Sequence, residues 1–212
     1  MVNDMAGTSP DSTGPDFAAV PTLVGSRLTL EPLGLGHVDE LAAAVAEGEL
    51  WQTWYTRIPS PDEMADAVQT RLELGESKQW VSWAVRRHDT GLACGMTSFL
   101  NIRADNRKLE IGSTWLSRST QRTGLNSEAK LLQLSHAFDT LGCVAVEFRT
   151  HWHNQQSRAA IARLGAKQDG VLRNNDVWRD GTLRDTVVFS IIESEWPTVR
   201  LSLTEKVAGR AR

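Results

Sequence analysis

Hydrophobic periodicity along the chain predicts an α+β protein. The expected fold is a mixed, mostly antiparallel central sheet flanked by helices, in the order β α α β β β α β α β β. Three observations carry this. Short stretches of apolar alternation are separated by turn residues. Two early and two late stretches have helical spacing. Between Trp115 and Gly165 a strand, a basic glycine turn, a helix, a strand and an Asn-capped helix follow closely on one another.

Taken in order, Arg27 to Leu33 alternates, with Leu28 and Leu30 against Arg27, Thr29 and Glu31. His37 to Glu47 places Val38, Leu41, Ala42 and Val45 on one helical face. Glu47 to Ile58 reads as a loop or short helix holding Trp51, Trp54 and Tyr55. Ser60-Pro61-Asp62-Glu63 is a helix start, and that helix runs to about Leu74 with Gly75 as its stop. Trp80–Arg87 and Leu92–Leu100 form a hairpin through Asp89-Thr90-Gly91. Lys108–Leu116 is a strand. Asn126–Leu141 is a helix buried along Leu131, Leu134, Phe138 and Leu141. Val144–Thr150 is a strand, Asn154–Leu164 a helix, and Ala166–Arg179 pairs with Leu183–Ile192 through Asp180-Gly181.

Composition narrows the function. A chain of 212 residues, 41% hydrophobic and 23% charged, suits a single folded domain, expected over residues 23–200. Residues 1–22, rich in Asp, Ser, Pro and Gly, are expected to be a disordered tail, and residues 201–212 a loose one. A net charge of −3 gives no general attraction to nucleic acid. No run approaches the ~20 apolar residues of a membrane span, and the start has no signal-peptide pattern. Two cysteines, Cys94 and Cys143, make no disulfide framework or metal knuckle, so a cytoplasmic location is expected.

The turn STQRTGLN joins an apolar strand to an amphipathic helix. Successive backbone N–H groups and the positive end of a helix make an anion site there, with Arg118 and Arg122 at its mouth. The same string would also serve as a basic loop that only starts a helix. His151-Trp152-His153 offers two imidazoles on one strand face, short of the three or four ligands zinc requires, so no metal is expected. Neither cysteine has an activating neighbour for an acyl-cysteine route.

QRTGLN resembles the Q/R-x-x-G-x-G/A turn of the GNAT superfamily of acyl-CoA-dependent N-acetyltransferases. With RLTLEPL, LEIGSTWL, NxxSxxxIxxLGA and the final DG hairpin followed by RDTVVFSI, the chain is similar to the branch that includes the ribosomal-protein N-terminal acetyltransferases. The resemblance covers about Gly25 to Trp196. It implies acetyl-CoA as co-substrate. Its pyrophosphate would lie on the turn residues Arg122, Thr123, Gly124, Leu125 and Asn126, and its pantetheine arm along Trp115, Leu116 and Ser117 and against Asn154. Asn126 departs from the family's Gly or Ala. It further implies Glu110 as general base, Ser157 as the group near the departing thiolate, and Trp51, Trp54 and Tyr55 as an acceptor wall. Many members carry a tyrosine near Ser157; this chain has none after Tyr55.

The implied activity is direct attack of a primary amine on the acetyl thioester in a ternary complex. The acceptor is a protein N-terminus or a small-molecule amine. An α-amine near pKa ~8 is cheaper to neutralise than a lysine near ~10.4, by roughly 3.3 kcal/mol. A degenerate relative that binds CoA as a regulator without transfer is the alternative, motivated by Asn126 and the missing tyrosine. The resemblance also allows a homodimer. An RNA- or DNA-binding module is disfavoured by the acidic balance despite Arg103, Arg107, Lys108, Arg118 and Arg122.

Overall fold

The computed structural model describes residues 14–209. One sheet of eight strands has the order β1-β2-β3-β4-β5-β6-β8-β7. β1 (Leu23–Val24) and β2 (Leu28–Pro32) precede α1 (Val38–Ala46) and α2 (Met64–Glu76). β3 (Val81–Arg87), β4 (Ala93–Arg103) and β5 (Lys108–Leu116) form a meander. α3 (Leu125–Ser135) crosses to β6 (Ala145–His151), and α4 (Gln155–Leu164) leads to the hairpin of β7 (Lys167–Val177) and β8 (Leu183–Ile192). α5 (Trp196–Val207) closes the domain. The fold is the expected mixed, mostly antiparallel sheet with flanking helices, with β1 and α5 in addition.

Among the described residues only β5 and β6 pair in parallel, and the crossover they need is supplied by α3. Their pairing covers Lys108↔Ala145, Leu109↔Val146 and Glu110↔Glu147 and then stops. β5 stays on β4 as far as Gly95↔Leu116, and β6 stays on β8 as far as His151↔Thr186. The sheet therefore splits into a V, with Glu110 and Glu147 at its apex.

Side-chain alternation sends the two sheet faces to different cores. Leu109, Ile111, Leu116, Val146, Phe148, Val187 and Phe189 join a large cluster with Leu134, Phe138, Leu164 and Leu203 from α3, its extension, α4 and α5. On the opposite face, Leu41, Val45, Met64 and Val68 of α1 and α2 cover Ala84, Met96 and Trp115. The same face of β6 and β8 is polar: Glu147, His151 and Thr186 are buried there. That polar floor beside the V is the feature that positions the site.

Several local expectations are corrected. The tail was expected to be disordered through residue 22, but Phe17 is in the core, and the Pro21 carbonyl accepts a hydrogen bond from Trp83 Nε1 at 2.8 Å. Residues 1–13 lie outside the described residues. The expected loose end from 201 is instead helical to Val207. Trp196, Val199 and Leu203 recur at helical spacing and are buried, and Pro197 suits the first turn. Residues 210–212 lie outside the described residues. Gly75 is inside α2, which ends at Glu76. α3 begins at Leu125 and continues beyond Ser135 as a π-helical stretch, His136–Thr140. Among the described residues no helix is long and apolar enough to cross a membrane.

Candidate active site

The basic turn leaves β5 through a 3-10 turn, Arg118–Thr120, held by Glu47, whose carboxylate accepts from the Ser119 N–H at 2.8 Å and its hydroxyl at 2.9 Å. Arg118 packs over Gly48, where an added Cβ would lie 2.6 Å from Arg118 Cδ. Arg122 and Gly124 both have positive φ, +63° and +90°. Gly124 takes the cap position of α3, and Asn126 lies inside the helix. Arg27 Nη1 donates to the Thr123 carbonyl at 3.1 Å, and Arg27 Nε pairs with Glu128 Oε2 at 2.8 Å. Glu128 also accepts from the Ser26 hydroxyl at 2.8 Å, so the first turn of α3 is bolted to the start of β2. The N–H groups of Arg122, Thr123 and Gly124 have no protein acceptor among the described residues. They stand at a helix N-terminus, where an anion is favoured.

Beyond Glu110 the β6-facing edge of β5 has no strand partner. Of the three backbone positions expected to receive an extended arm, Ser117 is already engaged. Its N–H donates to the Cys94 carbonyl at 2.7 Å, and its carbonyl accepts from Thr120 N–H and Oγ1. Trp115 and Leu116 remain as edge positions, with the Leu116 carbonyl accepting from Gln121 Nε2 at 3.3 Å. A bulge interrupts β5 opposite Met96–Ser98, and Ser113 within it has φ +48°. Two side chains that sequence reading passed over hold that bulge. Arg71 of α2 donates to Ser113 Oγ at 2.8 Å on one face. Lys130 of α3 donates to Thr114 Oγ1 at 2.9 Å, Thr97 Oγ1 at 2.8 Å and Gln133 Oε1 at 2.8 Å on the other.

Glu110, the expected general base, lies at the apex and is 5% exposed. Burial raises its pKa, and Asn101 and Arg149 pull the other way: Asn101 Nδ2 donates to Oε2 at 2.7 Å, and Arg149 Nε lies 3.4 Å away. Its Oε1 faces Gly112, where a Cβ would come within 3.1 Å. Arg103 and Lys108, close in sequence to Glu110, pair instead with the neighbouring Glu147, which also takes Arg149. Burial pushes the Glu147 carboxyl up, but these cations more than offset it, and its pKa is lowered.

Trp54 and Tyr55 do reach the polar floor. The Trp54 ring is edge-on to His151 at 5.2 Å, and Tyr55 lies 6.4 Å from it. Trp51 does not join them: it packs partly buried against the α1/α2 core, because its place in a 3-10 turn points it inward. Trp178, from the end of the β7–β8 hairpin, completes the wall. Its Nε1 donates to the Trp54 carbonyl at 2.6 Å, and its ring stands 5.7 Å from His151. His151 Nδ1 accepts from the His153 N–H at 3.0 Å, which assigns the ring proton to Nε2 in the neutral form. Burial and Arg184 lower its pKa.

Across the V, the Asn154 Oδ1 accepts from the Ser157 N–H at 2.9 Å and so caps α4. Gln156 Nε2 meets Gln121 Oε1 at 3.4 Å, which brings the first turn of α4 up to the basic turn. Ser157 is half-buried. Both cysteines are free and buried, their thiols pushed up by burial to about 11 for Cys94 and about 12 for Cys143, as expected for packing rather than nucleophilic residues.

The family profile described as the acetyltransferase (GNAT) domain matches residues 27–167, well over half of the chain. The chain belongs to the GNAT acetyltransferase family. YdaF of Bacillus subtilis (strain 168), provisionally named as a ribosomal N-acetyltransferase, is 31% identical over 106 residues, which is 50% of this chain and 57% of that protein. The matched region thus spans little more than half the length of this curated relative. Among solved structures, a GCN5-related N-acetyltransferase from Brucella melitensis superposes with TM-score 0.81 at 28% identity, covering 92% of this chain and 90% of that one. A provisionally named acetyltransferase from T. thermophilus gives TM-score 0.75 at 33% identity, with coverage of 89% and 98%. Mycobacterium smegmatis RimJ, solved in complex with CoA-disulfide, shares the fold alone, with TM-score 0.76 at 18% identity over 94% and 99%. In this GNAT domain the aromatic wall stands on His151 at the end of β6, and the first turn of α4 meets the basic turn.

Proposed function

We propose that the protein transfers an acetyl group from acetyl-CoA to the α-amine of a polypeptide N-terminus. The observation that supports this most directly is the split of the sheet at Glu110. It leaves an unpaired strand edge leading to three unpartnered N–H groups at a helix start, and it sets a buried carboxylate beside the gap. The N–H groups of Arg122, Thr123 and Gly124 with the Arg122 guanidinium suit a pyrophosphate. The edge at Trp115 and Leu116 suits an extended amide-bearing arm added as a half-strand.

Acetyl-CoA supplies the acetyl group as an activated thioester. Glu110, with its pKa raised by burial, accepts the proton of the incoming ammonium, directly or through water. The bulge at Gly112–Thr114 is held from both faces, and its backbone N–H groups would stabilise charge developing on the thioester oxygen. Ser157, beside the N-cap of α4, hydrates or protonates the departing thiolate. His151 keeps its proton on Nε2 and orients the wall rather than acting as base. The relative named for ribosomal N-acetylation favours a protein acceptor, as does the lower cost of neutralising an α-amine.

The test is thermal unfolding with acetyl-CoA against ATP and NAD, followed by turnover on peptide and small-amine panels. Ligand at ~100 times its dissociation constant adds about 2.7 kcal/mol. A selective rise of the midpoint with N-acetylated peptide supports the reading. Stabilisation without acetyl transfer to any amine would replace it with a CoA-binding regulator.

A further inference from the structure

Three arginines gather round Trp178, in the aromatic wall. The Arg57 guanidinium lies 4.5 Å from the Trp178 ring centroid and that of Arg184 4.9 Å. Arg179 Nη2 donates to the Thr53 carbonyl at 3.3 Å, on the same loop as Trp54. Asp66 shares a cavity with Arg57 and Arg179 without an ion pair among the described residues, and the other carboxylates of this region are engaged elsewhere or only loosely placed. Asp176 is 3.9 Å from Arg184 and Glu63 is held by the Ser60 N–H and hydroxyl, both at 2.9 Å. Asp180 accepts from Thr182, and Asp185 is taken by Arg173 and the Asn174 N–H. Arg57 and Arg179 have no ion pair among the described residues, and the buried Nε of Arg184 has no acceptor. Arg57 and Arg179 also line an open cavity of ≈ 430 Å³ with Arg71, Glu63 and Asp66.

We propose that this arginine group binds carboxylates of the acceptor, so that the preferred acceptor is an N-terminal peptide with acidic side chains in its first few residues. The inference rests on the acetyl-transfer reading and narrows its substrate class. Guanidinium forks stacked on an aromatic ring are set to receive carboxylates in-plane. They disfavour polyamines and aminoglycosides, which bring like charge to the same mouth. Arg184 and Glu110 influence each other's charge without forming an ion pair. In the strand register Glu110 sits level with Glu147 and Ser190, and Arg184 is six residues further along β8. An extended peptide whose amine reaches Glu110 would carry its following side chains past this arginine group.

The experiment uses the full chain with matched peptides that share one N-terminal residue and differ at positions 2–5: Glu, Gln or Lys. Free amino acids and spermidine are the other arms. Both kcat/KM with acetyl-CoA and direct binding of labelled peptide by anisotropy are measured. The Glu series is expected to exceed the Gln series by 10- to 100-fold in both readouts, with the Lys series lowest and the preference shrinking at high salt. Arg57→Gln and Arg179→Gln, both at exposed positions, are expected to bring the Glu-to-Gln ratio towards one. Equal binding of Glu and Gln peptides, or better turnover of spermidine or free amino acids, overturns the inference. Selective binding of the Glu series without acetylation retains the site and instead removes the transfer reading.

Discussion

Lys130 Nζ lies 2.9 Å from Thr114 Oγ1, across the interface between α3 and the bulge of β5. The lysine is fully enclosed, and burial lowers its pKa to about 7. Three oxygens, from Thr97, Thr114 and Gln133, take up its three N–H bonds and oppose that fall. The unfolded chain keeps the proton to about pH 10.4. Between those values the unfolded state binds more protons, so folding stability rises with pH from about 7 upward. Below pH 7 both states are charged and the burial penalty stands in full. Urea unfolding of the protein and Lys130→Met from pH 6 to 10 should therefore show their difference moving in favour of the unmodified chain as pH rises. The span is at most about 5 kcal/mol. A flat difference would mean that the ammonium is as stable inside as in water.

Glu110→Gln should separate stability from activity. The raised pKa means that the folded protein holds the proton more tightly than the unfolded chain, so stability falls as pH rises from the ordinary glutamate pKa to the folded one, and the cost stands in full above it. The amide keeps a group for Asn101 and carries no charge to bury. The melting temperature at neutral pH should stay level or rise, while kcat falls about 10²- to 10³-fold and the acid limb of the pH–rate profile disappears. Full turnover across that profile would leave water alone as the proton acceptor.

Gly124→Ala places a Cβ at φ +90° and 3.2 Å from Arg27 Nη2. It should destabilise the protein by about 1 kcal/mol or more and reduce the thermal shift given by acetyl-CoA. Arg122→Gln, at an exposed position, should reduce that shift without changing the melting temperature of the free protein.

Asn154→Asp distinguishes capping from ligand binding. Aspartate still accepts the Ser157 N–H and caps α4 about as well. If the Asn154 amide also donates to the arm of acetyl-CoA, the variant keeps its stability but weakens acetyl-CoA binding at least several-fold. Ser157→Ala should lower kcat and leave acetyl-CoA affinity nearly unchanged. Titration calorimetry beside steady-state kinetics reads both.

Leu203→Ala should destabilise the domain by about 2–5 kcal/mol, because the side chain is fully buried on α5 beneath the sheet. A loss under about 0.5 kcal/mol in urea unfolding would mean that α5 contributes little to the core.

The local geometry of the candidate site was legible where it depends on neighbouring residues. QRTGLN needs a positive φ that Gly124 tolerates, and NxxS is a helix cap that any N-terminal Asn can make. Glu110 was singled out by the resemblance of LEIG to the family, and its neighbours were not. Arg103 and Lys108, its near neighbours in sequence, go to Glu147, which sits beside Glu110 because β6 returns parallel to β5. Trp51 and Trp54 look alike in sequence, yet a 3-10 turn sends one to the core and the other to His151. Helical periodicity marked Leu134 and Phe138 for burial but gave no sign of Lys130, because nothing local predicts three oxygens waiting across the interface.

By itself the sequence determined the order of strands and helices from β2 to β8, the mixed antiparallel sheet and the basic turn at the start of α3, since each follows from periodicity, capping and backbone freedom over a few neighbouring residues. The tertiary structure alone decided where the sheet splits, which carboxylate is buried at the split, how Lys130 and Arg71 brace the bulge and which arginines surround Trp178. Those are contacts between residues tens of positions apart. Their energies depend on register, desolvation and charge proximity, which exist only once the chain has packed.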